Sequence, residues 1–233
     1  MNAHHETRHR PLHGAQEAEI RVPTRRALAK QQTRAKVLAA ARRLFSEEGY
    51  EGATIRDIAA AAGMSTGAVF ANFADKSDLF REIMLVDMAS LAEVMREAAH
   101  RGRTVDDCLL KAFCAGYAFY KSQLPLARAA FSISWTPDQG PELRNMAPVL
   151  ALHDLITEQL LAGVERGELS QEAEVKLRTQ MLFDCYLANY PEAIFLGWSI
   201  DALQAKAKDQ IRVILAGARR VDPVRVRRTV APG

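Results

Sequence analysis

The 233-residue sequence is short of cysteine, of aromatic residues and of long uncharged apolar runs. Each shortage excludes something. Cys108, Cys114 and Cys185 are too few for a disulfide scaffold and lack zinc-finger spacing, which fits a reducing cytoplasm. The longest uncharged run, residues 58–74, contains Gly63, Ser65, Thr66, Gly67 and Asn72, so no membrane span is expected. The N-terminal stretch has no apolar core of the kind a signal peptide needs. Strand-type alternation is missing, as is any internal repeat. No Ser/His/Asp constellation, paired catalytic carboxylates, phosphate-binding Gly loop or HExxH motif is visible, which argues against an enzyme.

What is present is an ordinary globular composition, 48% hydrophobic and 25% charged, long enough for one large domain or two smaller ones. The net charge of +3 is unevenly spread. Residues 1–30 carry +3, residues 31–80 are neutral, residues 81–217 carry −4 and residues 218–233 carry +4. Basic ends are compatible with a polyanionic partner and equally with solvated tails. Residues 1–32 lack apolar periodicity and read as a disordered basic leader. His4, His5, His9 and His13 lie there, but no carboxylate or cysteine is placed to fix a coordination geometry, so neither metal nor cofactor is expected.

From Thr33 the pattern turns helical, with Val37, Leu38, Ala41, Leu44 and Phe45 at three- and four-residue spacing and Gly49 as the stop. Thr54 then precedes Ile55, Ile58 and Ala59, with Asp57 placed for a capping box. Gly63 breaks this short helix. Ser65 can cap another, ending near Asn72, and Asp75 can cap a third starting at Lys76. Thr104 with Asp107 opens a helix through Phe113 and Tyr117, and Pro125 suits the first turn of one reaching Trp135. Residues 136–141 read as a loop. Residues 142–166 follow, with Pro148 marking a kink or split start, and Gly167 ends them. Ser170 opens a segment to Trp198 that Pro191 should kink, and residues 201–216 form the last helix. The chain therefore reads as all-α: a small N-terminal part and a larger C-terminal bundle.

Residues 54–73, TIRDIAAAAGMSTGAVFANF, have the form of a helix-turn-helix. In such motifs the second helix enters the major groove of DNA and the first crosses the backbone. Ala60, Ala61, Ala62, Gly67 and Ala68 are small enough to let two helices cross closely. A short hairpin inside a helical bundle is the plainer alternative.

From Thr33 to Met84 the sequence resembles the DNA-binding domain of TetR family transcriptional regulators. The resemblance rests on Thr33-Arg34, Leu38, Ala41, Leu44-Phe45, Gly49-Tyr50, residues 54–59, residues 62–65, Gly67, Phe70, Phe73, Lys76 and Leu79. It implies a three-helix DNA-binding domain (residues 33–80), an effector-binding and dimerisation domain (residues 81–217) and a basic tail (residues 218–233). It also implies double-stranded operator DNA as partner. Thr54 would hold a phosphate, Ser65, Thr66, Gly67 and Ala68 would face the major groove, and Lys76 would pair with a phosphate. Phe70 stands where the family often has a phosphate-contacting Tyr, so that hydroxyl is missing. Ala71 and Asn72 replace larger residues, and Thr66 replaces a frequent Lys. The recognition helix thus has no Arg or Lys, and Arg-to-guanine readout from it is unavailable. Direct readout falls to Thr66, Asn72 and the methyls of Ala68 or Ala71, with DNA shape doing more. Arg21, Arg25, Arg26 and Lys30 form either a minor-groove arm or an idle leader.

The resemblance further implies a homodimer through residues 171–198 and 201–216, and a small-molecule effector pocket in the bundle. The aromatic composition points to a largely apolar or aromatic ligand, with Phe113, Tyr117, Tyr120, Phe131, Trp135, His153, Phe183 and Tyr186 as the candidate lining. The expected function is a cytoplasmic repressor released from DNA by that ligand. An activator, a ligand-independent architectural binder and, remotely, a helical enzyme are the alternatives.

Overall fold

The computed structural model describes residues 24–134 and 147–219. Trp135, the expected loop at residues 136–141, the four leader histidines, Arg21 and the tail beyond Arg219 lie outside them. The described residues form helices α1 (Arg25–Glu47), α2 (Gly49–Gly52), α3 (Ile55–Ala61), α4 (Thr66–Phe70), α5 (Lys76–His100), α6 (Val105–Lys121), α7 (Leu124–Ser134), α8 (Ala147–Glu165), α9 (Val175–Ala188), α10 (Tyr190–Phe195) and α11 (Ile200–Ala216). Among the described residues no helix is long and apolar enough to cross a membrane.

The expected caps form. Backbone N–H groups of Asp57, Ala68, Asp78 and Asp107 donate to the side chains of Thr54, Ser65, Asp75 and Thr104. At Thr54 the capping box is altered: the Asp57 carboxylate takes the Thr54 hydroxyl proton rather than a backbone N–H. Gly63, at φ +68°, closes α3, with Met64 N–H reaching the Ala59 carbonyl at 2.9 Å and Gly63 N–H the Ala60 carbonyl at 3.0 Å. That double bond satisfies the helix end and needs the left-handed residue in between.

Three helix boundaries differ from expectation. Helix α1 starts at Arg25, eight residues before Thr33, with Thr24 accepting from Ala27 N–H. Its first two turns are exposed and so carry no apolar period, but they are built from good helix formers. The segment expected from Ser170 begins only at Val175. Ser170 N–H is instead bonded to the Ala218 carbonyl at 2.8 Å, beside an antiparallel bridge between Leu169 and Arg219. Pro191 does not kink one helix but sits in the first turn of a second one, α10. Pro148, expected to mark a kink or a split start, falls in the first turn of α8, as a start there requires.

Helices α1, α3, α4 and the start of α5 enclose an N-terminal core of Val37, Phe45, Ile58, Val69, Phe73 and Leu79. Helix α5 continues into the second core, where α6, α8, α9 and α11 pack around Leu91, Met95, Phe113, Leu182 and Ile211. The buried apolar residues form one continuous cluster across both parts. Arg219 pairs with Asp106 at 2.5 Å, so the first residue of the basic tail cluster ties the chain after α11 to the start of α6.

Candidate nucleic-acid interface and effector cavity

Helices α3 and α4 present a continuous exposed strip. Thr54, Ser65, Thr66, Gly67, Phe70 and Ala71 are exposed, Ala68 is half-buried, and Val69 points inward. The strip holds no ionised side chain between Ser65 and Ala74. Asn72 is half-buried: its amide donates to the Ala68 carbonyl at 2.9 Å, while its Oδ1 is enclosed without a hydrogen-bond partner. Its polar head is thus turned toward the protein.

Two cations hold the strip in place. Arg34 of α1 donates to the Asn72 carbonyl at 2.7 Å, pairs with Glu82 at 2.8 Å and lies 4.3 Å over the Phe73 ring. It clamps the end of α4 between α1 and α5. Lys76 donates to the Tyr50 carbonyl at 2.8 Å and the Ala53 carbonyl at 3.3 Å, with its ammonium 4.3 Å from the Tyr50 ring centre. The ammonium expected to meet a phosphate therefore also closes the end of α2. Sequence reasoning missed both roles, because the acceptors lie 23 or more residues away.

The C-terminal bundle is organised around stacked rings. Tyr117 stacks on Tyr186 at 5.2 Å, Phe113 packs on Tyr186 at 4.9 Å, and Tyr120 meets Tyr190 edge-on at 4.9 Å. Asn189, wholly buried, donates to the Tyr117 hydroxyl at 2.9 Å and to Gln210 Oε1 at 2.8 Å, and Gln210 donates back at 3.2 Å. Burial pushes the phenols of Tyr117, Tyr120, Tyr186 and Tyr190 above their ordinary value, so all four stay neutral hydroxyls at physiological pH.

Beside these rings lies a cavity of about 220 Å³, lined by Tyr117, Tyr120, Lys121, Leu124, Tyr190, Ala193, Ile194, Gly197, Trp198 and Leu203. Of the eight expected lining residues, Tyr117 and Tyr120 are there. Phe113 and Tyr186 sit in the ring stack behind it, each about 1% exposed. Phe131 packs on Phe195 of α10 at 6.2 Å. His153 and Phe183 meet each other at 5.7 Å between α8 and α9, and His153 borders a separate hollow of about 540 Å³ with Glu174, Leu177 and Gln180. Tyr190 and Trp198 are the aromatic lining residues missing from the expected set, alongside Lys121, Leu124, Ala193, Ile194, Gly197 and Leu203.

Between α1 and the cavity end of the bundle runs a polar contact. Arg42 of α1 donates to Asp87 of α5, which is 4% exposed, and to Gln123 Oε1 at 2.5 Å. Gln123 is flanked in sequence by the cavity residues Lys121 and Leu124. Tyr120, also in the cavity wall, donates to Met88 Sδ at 3.1 Å, one residue from Asp87. Burial raises the Asp87 carboxyl above its ordinary value, and Arg42 opposes that shift. Arg42 therefore touches both the turn between the cavity residues Lys121 and Leu124 and the helix that joins the two domains.

These features define a helix-turn-helix domain joined to a larger helical domain with an internal cavity. Residues 37–83 match the sequence family described as bacterial regulatory proteins, tetR family. The match covers the helix-turn-helix domain of the chain. The chain is 48% identical over 65 residues to the HTH-type transcriptional repressor AcnR of Corynebacterium glutamicum, covering 28% of this chain and 35% of AcnR. The chain thus matches about a third of the length of its first curated relatives. The fold continues further. The fatty acid degradation regulator FadR of Bacillus halodurans superposes with a TM-score of 0.65 at 21% identity, over 81% of this chain and 97% of FadR. FadR of Thermus thermophilus, a repressor in complex with lauroyl-CoA, does so with a TM-score of 0.64 at 24% identity, over 86% and 99%.

Proposed function

We propose that this chain is a homodimeric, DNA-binding transcriptional repressor, released from its operator by a small, largely apolar or aromatic ligand held in the cavity. The observation that carries the reading is the exposed α3–α4 strip, capped and clamped on a domain matched by a family of regulators. The repressor role of AcnR and the acyl-CoA bound by Thermus FadR support repression and a small-molecule effector.

Thr54, Ser65 and Thr66 contact the DNA, with Gly67, Ala68 and Ala71 allowing close approach. Lys76 spends two of its three donors on carbonyls and keeps one for a phosphate. Arg25, Arg26 and Lys30 are exposed on the first turns of α1. A helix about 10 Å across does not fit a minor groove of about 6 Å, so these residues act on phosphates rather than as an inserted arm. Leu177 and Met181 of α9 and Val213 of α11 are exposed apolar side chains, consistent with dimerisation through residues 171–198 and 201–216. A ligand against Tyr120 would move the Gln123 turn and, through Arg42, shift α1 against α5. Such a coupling between two sites has the size of the ligand's preference for one arrangement over the other.

Footprinting on the DNA upstream of its own gene tests this reading, together with transcription from that promoter in its presence. Protection with reduced transcription is expected. Protection with increased transcription would make the protein an activator, and no protection anywhere would remove the DNA-binding reading.

A further inference from the structure

The exposed strip contains one residue whose side chain has no evident use in the protein. Phe70 is 56% exposed. Every other aromatic ring of the N-terminal domain is engaged: Phe45, Tyr50 and Phe80 pack on one another, and Phe73 lies under Arg34. Among the described residues no ring or cation packs on Phe70. Helix spacing sets it on the same face as Thr66 and Gly67, four and three residues earlier. Gly67 has no side chain to cover it, and Ala71 beside it is small. The Asn72 amide is turned inward and residues 65–74 carry no charge. What α4 offers to a duplex is therefore the hydroxyls of Ser65 and Thr66 and one large apolar surface.

The major groove presents one apolar group that varies with sequence, the C5-methyl of thymine, and Phe is among the side chains that contact it. We propose that Phe70 determines operator specificity by packing on thymine methyls in each half-site. This deepens the DNA-binding reading and rests on it. It moves the main direct readout from the small residues to a ring one turn along the recognition helix.

The test uses the full chain and a duplex enriched by selection from random DNA. Each thymine is replaced singly by deoxyuridine, which lacks only the methyl. At one or two positions per half-site the wild type should lose about fourfold in affinity, and roughly fifteenfold when both half-sites are changed, as expected for one buried methyl-sized group each. F70A should bind the thymine and deoxyuridine duplexes equally, with an unchanged melting temperature because the ring is exposed. Wild-type binding that ignores every deoxyuridine would overturn the proposal and leave the DNA-binding reading standing. So would an F70A protein that still prefers thymine, or one whose only defect is lost binding to a protein partner. Failure to enrich any duplex would overturn both.

Discussion

The N-terminal and C-terminal domains reach order by different chemistry. In the first, helices are fixed largely by local caps, a hydroxyl or carboxylate at the starts of α1, α3, α4 and α5 and Gly63 at one end, with Arg34 and Lys76 gathering carbonyls from further along the chain. In the second, long helices are fixed by a layer that exists only when distant segments meet. Asn189, Tyr117 and Gln210 form one hydrogen-bonded set, and the tyrosine rings form another. The difference bears on function. The surface proposed to read DNA keeps one shape, because its caps are local and Arg34 and Lys76 pin its ends to backbone carbonyls. A pocket whose wall is shared among α6, α7, α10 and α11 can repack around a ligand. Arg42 is where the two kinds of construction meet.

Substitutions can break this contrast, beginning with the largest expected effect. Asn189→Ala would leave the buried Tyr117 hydroxyl unpaired and the half-buried Gln210 without its partner, a loss of roughly 3 kcal/mol. Denaturant melts would show it, and DNA affinity per folded molecule should stay as it was. Gly116→Ala is next. An added Cβ there would stand 2.1 Å from the Tyr186 hydroxyl and 3.0 Å from Met95 Sδ. Overpacking of that kind costs about 1–3 kcal/mol, again without changing affinity per folded molecule.

Arg42→Ala should cost roughly 1–3 kcal/mol, because it leaves the buried Asp87 carboxylate without its cation; the wild-type pair is itself partly screened by the exposure of Arg42. The carboxyl already titrates above its ordinary value, so the folded state favours its neutral form. The deficit should therefore be largest near neutral pH and shrink as pH falls toward the carboxylate range. A deficit that grew on acidification would remove Asp87 from the account. Smallest in stability is Thr54→Ala, about 1 kcal/mol for a lost helix cap. It should nevertheless weaken DNA binding, since the hydroxyl that caps α3 is the one proposed to contact a phosphate. If Thr54→Ala spared binding while Gly116→Ala abolished it, the division between a self-supporting reading surface and a collective pocket would be wrong.

The same contrast explains what could be read from the sequence. Thr54, Ser65, Asp75 and Thr104 were legible as caps because a cap is a relation over three residues. The helix-turn-helix was legible for that reason and because its small residues stand in order. The first turns of α1 were not, since an exposed helix leaves no apolar period. The late start of α9 was hidden because Ser170 is held by Ala218, far along the chain. The cavity was legible in kind and only partly in membership. An aromatic residue in a bundle looks the same in sequence whether it fills the core, as Phe113 does, or borders a space, as Trp198 does. The inward turn of Lys76 depended on carbonyls that carry no sequence signal at all.

In vitro selection of DNA from a random pool, followed by binding to the winner across a range of salt, tests the central claim most directly. A two-fold symmetric reader should enrich an inverted repeat with half-sites about one helical turn or more apart, and affinity should fall steeply with salt. A pool that never converges, or a bound sequence with no symmetry and no salt dependence, would contradict it.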